Sequence, residues 1–182
     1  MTPARAVTGP ATVLVLMGVS GAGKTTVGKA LAERLGWTFQ EGDDFHPAAN
    51  IAKMKSGQPL DDADRAPWLA NVEAWISEQL AAGRSGVVAC SALKQAYRKA
   101  LVADREAVVL GFLKGSRQLI AERLAQRRGH FMPPALLASQ LADLQPPTPQ
   151  EHAIVVDIAQ PIPAQVDHIV AALAERGRLA AA

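Results

Sequence analysis

The glycine-rich stretch "GVSGAGKT" (18–25) follows directly on the apolar run "TVLVLM" (12–17) and leads into "KTTVGKALAERL". A run of β-branched and aliphatic residues of that length reads as a buried strand, and the segment after the glycines carries the apolar spacing of a helix. Strand, loop and helix in that order, with Gly18, Gly23, Lys24 and Thr25 satisfying G-x-x-x-x-G-K-[ST], predict a phosphate-binding loop at the carboxyl end of a sheet strand. Glycines let backbone approach phosphate oxygens and turn successive N–H groups inward, where the helix dipole adds to the attraction. Gly18, Val19, Ser20, Gly21, Ala22, Gly23, Lys24, Thr25 and Thr26 are therefore expected to contact a nucleoside triphosphate. Lys24 would reach the β- and γ-phosphates, and Thr25 would offer its hydroxyl to Mg²⁺. The bland alternative, a glycine-rich turn without a ligand, is disfavoured by the complete motif in its strand–helix setting.

Further short apolar runs at "GVVAC" (86–90), "AVVLGFL" (107–113) and "AIVVDI" (153–158) alternate with segments of helical period, and residues 37–40 add a short strand. Alternation of this kind predicts an α/β fold with a parallel sheet covered by helices. "PWLANVEAWISEQL" is expected to be a helix with Pro67 near its start and Trp68 and Trp75 packed in the core. The 182 residues suffice for a single domain, with residues 1–10 a flexible leader and "PPTPQ" (146–150) an ordered turn. A formal charge of +2 without a dense Lys/Arg block argues against nucleic acid or an anionic membrane as partner. The run at 11–17 is too short to span a bilayer, so no membrane association is expected. One cysteine, Cys90, fits a reducing, cytoplasmic setting and reads as a buried apolar residue.

What becomes of the triphosphate is decided by the remaining residues. Neither N-K-x-D nor D-x-x-G occurs in the pattern of a guanine-nucleotide switch, and "GVVACSALK" ends in Cys90 and Ser91 where a motor ATPase carries a metal-linked acid. The acids come early, in "EGDDFHPAANIAKM" after the second strand, where a carboxylate can orient an acceptor hydroxyl for in-line attack. Asp43 is assigned that role, more through orientation than through strong basicity, because the transition state is loose. An isolated aspartate there would be a helix cap or turn acid; the phosphate loop upstream favours the catalytic reading.

"LMGVSGAGKTTV", "EGDDFHPAANIAKMKSGQPLDDADRAPWL", "CSALKQAYRKAL", "LKGSRQLIAERLAQRRGHFMP" and "VVDIAQP" occur in order between Leu16 and Pro161. Together they resemble the gluconokinases of the small P-loop type, related in fold to shikimate kinase and the nucleoside monophosphate kinases. The resemblance implies a three-layer P-loop architecture with a central five-stranded parallel sheet, helices on both faces and a mobile lid at about residues 127–137. It implies ATP-dependent phosphorylation of D-gluconate on its terminal hydroxyl to give 6-phospho-D-gluconate, with Mg²⁺, and leaves a homodimer open. Gluconate is a polyol with a carboxylate and needs cations and hydrogen-bond partners. His46, Lys53, Arg65, Lys94, Arg98 and His130 are the expected acceptor ligands, with Ser91 and Gln95 as further polyol contacts. Lys94 and Arg98 are spaced to share a helix face. Each cation also has a bland reading, Arg65 as the partner of Asp61 or Asp62 and Arg98 as part of a solvated face.

"ERLAQRRGHFMPP" is read as a helix ending in a cationic loop that closes over ATP. Arg127 is the candidate for stabilising the transferring phosphoryl group, Arg123 a second nucleotide contact, and Arg128 stands behind them. The alternative is a solvated helix end whose arginines complement the dipole. Gln160 and Pro161 in "DIAQP" are placed along the adenine by the same resemblance. The proline-rich "LQPPTPQEH" departs from the family pattern and bears on a dimer contact or the lid hinge. Two rival functions remain: a kinase of this fold for another acceptor, such as shikimate or a nucleoside monophosphate, and a catalytically silent nucleotide-binding regulator.

Overall fold

Every residue of β1 (Val13–Met17) is buried, as expected of a parallel strand covered on both faces. Leu14 and Leu16 point to one face and cluster with Val27, Leu31, Ile169 and Leu173, whereas Val13, Val15 and Met17 point to the other and cluster with Trp68, Val72, Ile76, Tyr97 and Leu101. The strand period of two thus builds two cores from one strand. The protein, described here by a computed structural model over residues 9–126 and 134–179, continues with β2 (Thr38–Glu41), β3 (Gly86–Ala89), β4 (Val108–Lys114) and β5 (Ile154–Asp157). All the pairings are parallel, in the order β2-β3-β1-β4-β5.

Helices α1 (Lys24–Leu35) and α7 (Ile162–Glu175) cover the first face, and α3 (Asp62–Ala81) and α4 (Gln95–Val102) the second. Between them lie α2 (Ala48–Lys55), α5 (Arg117–Gln126) and α6 (Pro134–Asp143). The result is the α/β fold with a helix-covered parallel sheet that the alternating runs predict, in the three-layer, five-stranded form that the resemblance implies. Strand order reverses at β1, so a crevice opens beyond the carboxyl ends of β1 and β3, the usual ligand site of such sheets. No described helix is long and apolar enough to cross a membrane.

Local differences from the sequence reading have physical causes. α3 begins at Asp62, not near Pro67, because Asp61 and Asp64 form a reciprocal capping box: each side chain accepts the other's backbone N–H, at 2.8 and 2.9 Å. That cap lets the helix start ahead of Pro67, which stands within it. Trp68 is fully buried, as expected, and Trp75 is half-buried against the same cluster. The proline-rich segment is an ordered turn, closed by Thr148 and Glu151 around Pro149–Glu151. Of the expected leader, residues 1–8 lie outside the described part, while Gly9 packs directly on the backbone of Arg178.

Candidate active site

The glycine loop ends at Gly23, the cap of α1, whose φ of 95° lies in the left-handed region open to glycine. Lys24 folds back over the loop, its Nζ donating to the carbonyls of Gly18 at 2.9 Å and Val19 at 3.1 Å. The Thr25 hydroxyl donates to Glu41 Oε2 at 2.5 Å, joining the loop to the end of β2. A hydroxyl beside a carboxylate is a hard-oxygen donor pair of the kind that suits Mg²⁺, which takes one or two protein groups and completes its shell with phosphate and water. Glu41 was missed in the sequence, where the two aspartates after it drew the attention. The available signal was its place as the last residue of a strand beside the loop.

Gly42 opens a 3₁₀ turn, Gly42–Phe45, and a Cβ there would stand 2.3 Å from the Ala89 carbonyl oxygen. Only glycine permits this approach, and it fixes Asp43 beside the end of β3. The Asp43 side chain is 74% exposed and lies 3.8 Å from His46 Nε2. His46, only 5% exposed at the side chain, stacks on Trp68 with centroids 4.4 Å apart and planes 14° apart. Trp68 in turn donates its indole N–H to the Gly42 carbonyl at 2.7 Å, and Asn50 lies 3.3 Å from His46 Nδ1 while donating to the Asp64 carbonyl. Burial pushes the His46 imidazole below its ordinary pKa; Asp43 pulls it back up and Arg65 lowers it further. A neutral imidazole held in one orientation can exchange hydrogen bonds with a polyol without bringing charge. Trp68 thus serves the core and the site at once, the second role being invisible in the sequence.

Loop and acceptor segment meet in a cleft of about 560 Å³, lined by Ser20, Lys24, Asp43, His46, Arg65 and Ser91 on its polar side. Leu60, Leu93, Leu124 and Leu136 supply apolar wall. Four expected acceptor-side residues, Asp43, His46, Arg65 and Ser91, are therefore brought together with the phosphate loop. Arg65 donates through Nη1 to the Tyr97 hydroxyl and to Asp143 Oδ2, both at 3.0 Å, so its partner is an acid far along the chain and not Asp61 or Asp62. Asp44, Lys53, Lys94 and Gln95 are absent from the described lining. Lys53 pairs with Asp64 at 2.5 Å, and Lys94 with Asp62 at 2.7 Å. Gln95 faces a second, larger groove of about 950 Å³ that lies against the start of β4 and holds no phosphate-loop residue.

Arg98 corrects the expectation of an acceptor ligand. Its side chain is 1% exposed, grips both carboxylate oxygens of Glu151 at 2.5 and 3.0 Å, and donates to the carbonyls of Ala92 and Leu93. Lys94 precedes α4 in an extended conformation while Arg98 points inward from its first turn, so the two do not share a face. Burial pushes the Cys90 thiol up to about 12, in keeping with an inert apolar residue.

Arg123 lies over the phosphate loop, 3.8 Å from where a Gly23 Cβ would stand, and donates to the Ile158 carbonyl at 2.6 Å. Through that bond the segment after β5, with exposed Gln160 and Pro161, is tied to the nucleotide side of the loop. Arg127, Arg128 and His130 lie outside the described residues, as does most of the expected lid.

A family model described as an AAA domain matches residues 13–147. The chain is 54% identical over 143 residues to the gluconokinase of Gluconobacter oxydans (strain 621H), covering 79% of this chain and 80% of that protein. Its fold superposes on the crystal structure of a gluconokinase from Sinorhizobium meliloti 1021 with a TM-score of 0.82 at 46% identity, covering 92% of this chain and 94% of that one. An unliganded sugar kinase from Janibacter sp. HTCC2649 gives a TM-score of 0.85 at 42% identity, over 91% and 95% of the two chains.

Proposed function

The chain belongs to the gluconokinase family, and from that premise we propose how its residues carry out the ATP-dependent phosphorylation of D-gluconate. The observation that carries the reading is the cleft in which Asp43, His46 and Arg65 face Lys24 and Ser20 of the phosphate loop. Phosphoryl transfer demands little covalent chemistry of the protein and much positioning, and these residues divide that work between donor and acceptor.

The loop amides and Lys24 hold the β- and γ-phosphates of ATP, and Arg123 faces the same phosphates from α5. The Arg65 guanidinium takes the gluconate carboxylate as a charge-assisted bond, while His46 and Ser91 hydrogen-bond the polyol. Asp43 orients the terminal hydroxyl, whose oxygen forms the new bond to the γ-phosphorus as the bond to the ADP oxygen breaks. The hydroxyl proton passes to the Asp43 carboxylate, and the products are ADP and 6-phospho-D-gluconate. Thr25 and Glu41 would hold Mg²⁺, which when bound neutralises charge on the phosphates. Arg127 is assigned to the transferring phosphoryl group from the sequence pattern alone. The single, buried cysteine supports a cytoplasmic location.

The test is ADP release from ATP and Mg²⁺ with gluconate, glucose, shikimate and nucleoside monophosphates compared in parallel. Turnover is expected with gluconate and very little with glucose, which lacks the carboxylate; efficient phosphorylation of glucose or shikimate would reject the reading. In the same assay Arg65→Ala should raise the KM for gluconate about ten- to a hundredfold, the worth of a charge-assisted bond, with a much smaller effect on ATP.

A further inference from the structure

The last turn of α6 enters the cleft from outside both substrate half-sites, and it does so with oxygen atoms. Gln140 Oε1 accepts the backbone N–H of Ser20 at 2.7 Å. Asp143 Oδ2 accepts from Arg65 at 3.0 Å. The two residues stand three apart on one helix, hence on one face. Ser20 and Gln140 both line the cleft beside Asp43 and His46, so the Ser20 amide is at the acceptor end of the phosphate loop, where a γ-phosphate oxygen would arrive. Arg65 is the cation assigned above to the gluconate carboxylate. Two residues past the end of α6 the chain has contacts of its own: Gln145 donates its N–H to the Leu93 carbonyl and accepts from the Gln95 N–H, at 2.9 and 2.8 Å. α6 therefore ends in a turn with two side chains resting on groups that the substrates need.

We propose that Gln140 and Asp143 are positioning residues that hold the places of the two substrates until they bind, Gln140 for a γ-phosphate oxygen and Asp143 for the gluconate carboxylate. A carboxamide oxygen satisfies the Ser20 N–H, and a carboxylate satisfies Arg65, so neither half-site is left with an unpaired polar group. Each substrate must displace its stand-in, which lowers its own affinity. Displacing one removes one of the two side-chain contacts that hold this turn on the cleft, so the other is less firmly seated, the second substrate meets a weaker competitor, and the two bind with positive coupling. The consequence for the reaction is that nucleotide settles fully into the loop when acceptor is present, which disfavours transfer to water. The acceptor half of this inference rests on the assignment of Arg65 to gluconate; the nucleotide half does not.

Calorimetric titration with a non-hydrolysable ATP analogue, ADP and gluconate separates this from a merely structural tether. Gln140→Leu should tighten the ATP analogue about fivefold, the worth of one ordinary hydrogen bond, and leave ADP unchanged. Gln140→Glu, which keeps the contact but sets a carboxylate against phosphate, should weaken the analogue. Asp143→Asn should tighten gluconate about tenfold, since Arg65 is released from a charged partner. In the unmodified protein gluconate and the analogue should raise each other's affinity by the same factor, as linkage requires, and Gln140→Leu with Asp143→Asn should bring that factor to one. A tether predicts the opposite sign: lower stability with unchanged or weaker binding in both single variants, which would overturn the proposal. Equal tightening of ADP in Gln140→Leu would overturn the γ-phosphate assignment. If Arg65→Ala leaves gluconate binding intact, the acceptor reading fails while the nucleotide arm still stands or falls on its own.

Discussion

Asp43→Asn is expected to lower kcat by roughly 10²-fold or more while leaving ATP affinity nearly intact, the loss that removal of a positioned acid or base group brings. The substituted amide keeps the size and can still accept a hydrogen bond from the acceptor hydroxyl, but it cannot take the proton as the new P–O bond forms. The backbone is not expected to move, because the position of residue 43 is set by the approach of Gly42 to Ala89 and by the Trp68 indole bond to the Gly42 carbonyl. Asp44→Asn should matter far less, since Asp44 is exposed and absent from the described cleft lining. Single-turnover measurements with saturating gluconate separate transfer from binding. A larger loss in Asp44→Asn than in Asp43→Asn would place the acceptor-facing acid one residue later and reject the geometry of the 3₁₀ turn.

How far the site could be read in advance depended on the range of the interactions. The phosphate loop was legible because its demands are local: a strand end, glycines, a lysine and a hydroxyl at fixed spacing. β1, β3, β4 and β5 were legible because each is a short apolar run of the kind a parallel sheet buries, whereas β2 (TFQE) is a polar edge strand with no buried residue and gave a weaker signal. The acceptor-side cations were legible as residue types but not in their roles. Arg65, Lys94 and Arg98 each have a carboxylate partner distant in sequence, namely Asp143, Asp62 and Glu151, and nothing in local spacing reveals which pairing leaves a side chain in the cleft. Glu41 and Gln140 went unnoticed for the same reason, since their importance comes from contacts with Thr25 and the Ser20 amide across the fold. Trp68 was placed correctly in the core, yet its value to the site lies in the imidazole stacked on it.

Arg98→Ala is expected to act on the fold and not on substrate recognition, with a stability loss of about 3–5 kcal/mol, typical of breaking a buried ion pair from one side. For a chain of this size that corresponds to a fall in Tm of roughly 10 °C. Arg98 Nη1 also holds the carbonyls of Ala92 and Leu93, and Ala92 has a φ of 43°, a conformation that a residue with a Cβ seldom keeps without support. This is the segment that carries Ser91 and Leu93 into the cleft, so its loosening should lower kcat modestly in the protein that remains folded. Acid dependence distinguishes the pair from a simple packing loss. The Arg98 hydrogen bond holds the Glu151 carboxyl below the usual carboxylate range, against the upward push of burial and with help from the Thr148 N–H. A depressed folded-state pKa gives stability that is present above the unfolded carboxylate value and is lost as pH falls through the folded one. Denaturation curves of the unmodified protein and Arg98→Ala should therefore differ most near neutrality and draw together in acid. A difference that stays constant with pH would remove the ion pair as its cause. A large rise in the gluconate KM with unaltered stability would restore Arg98 to the substrate site.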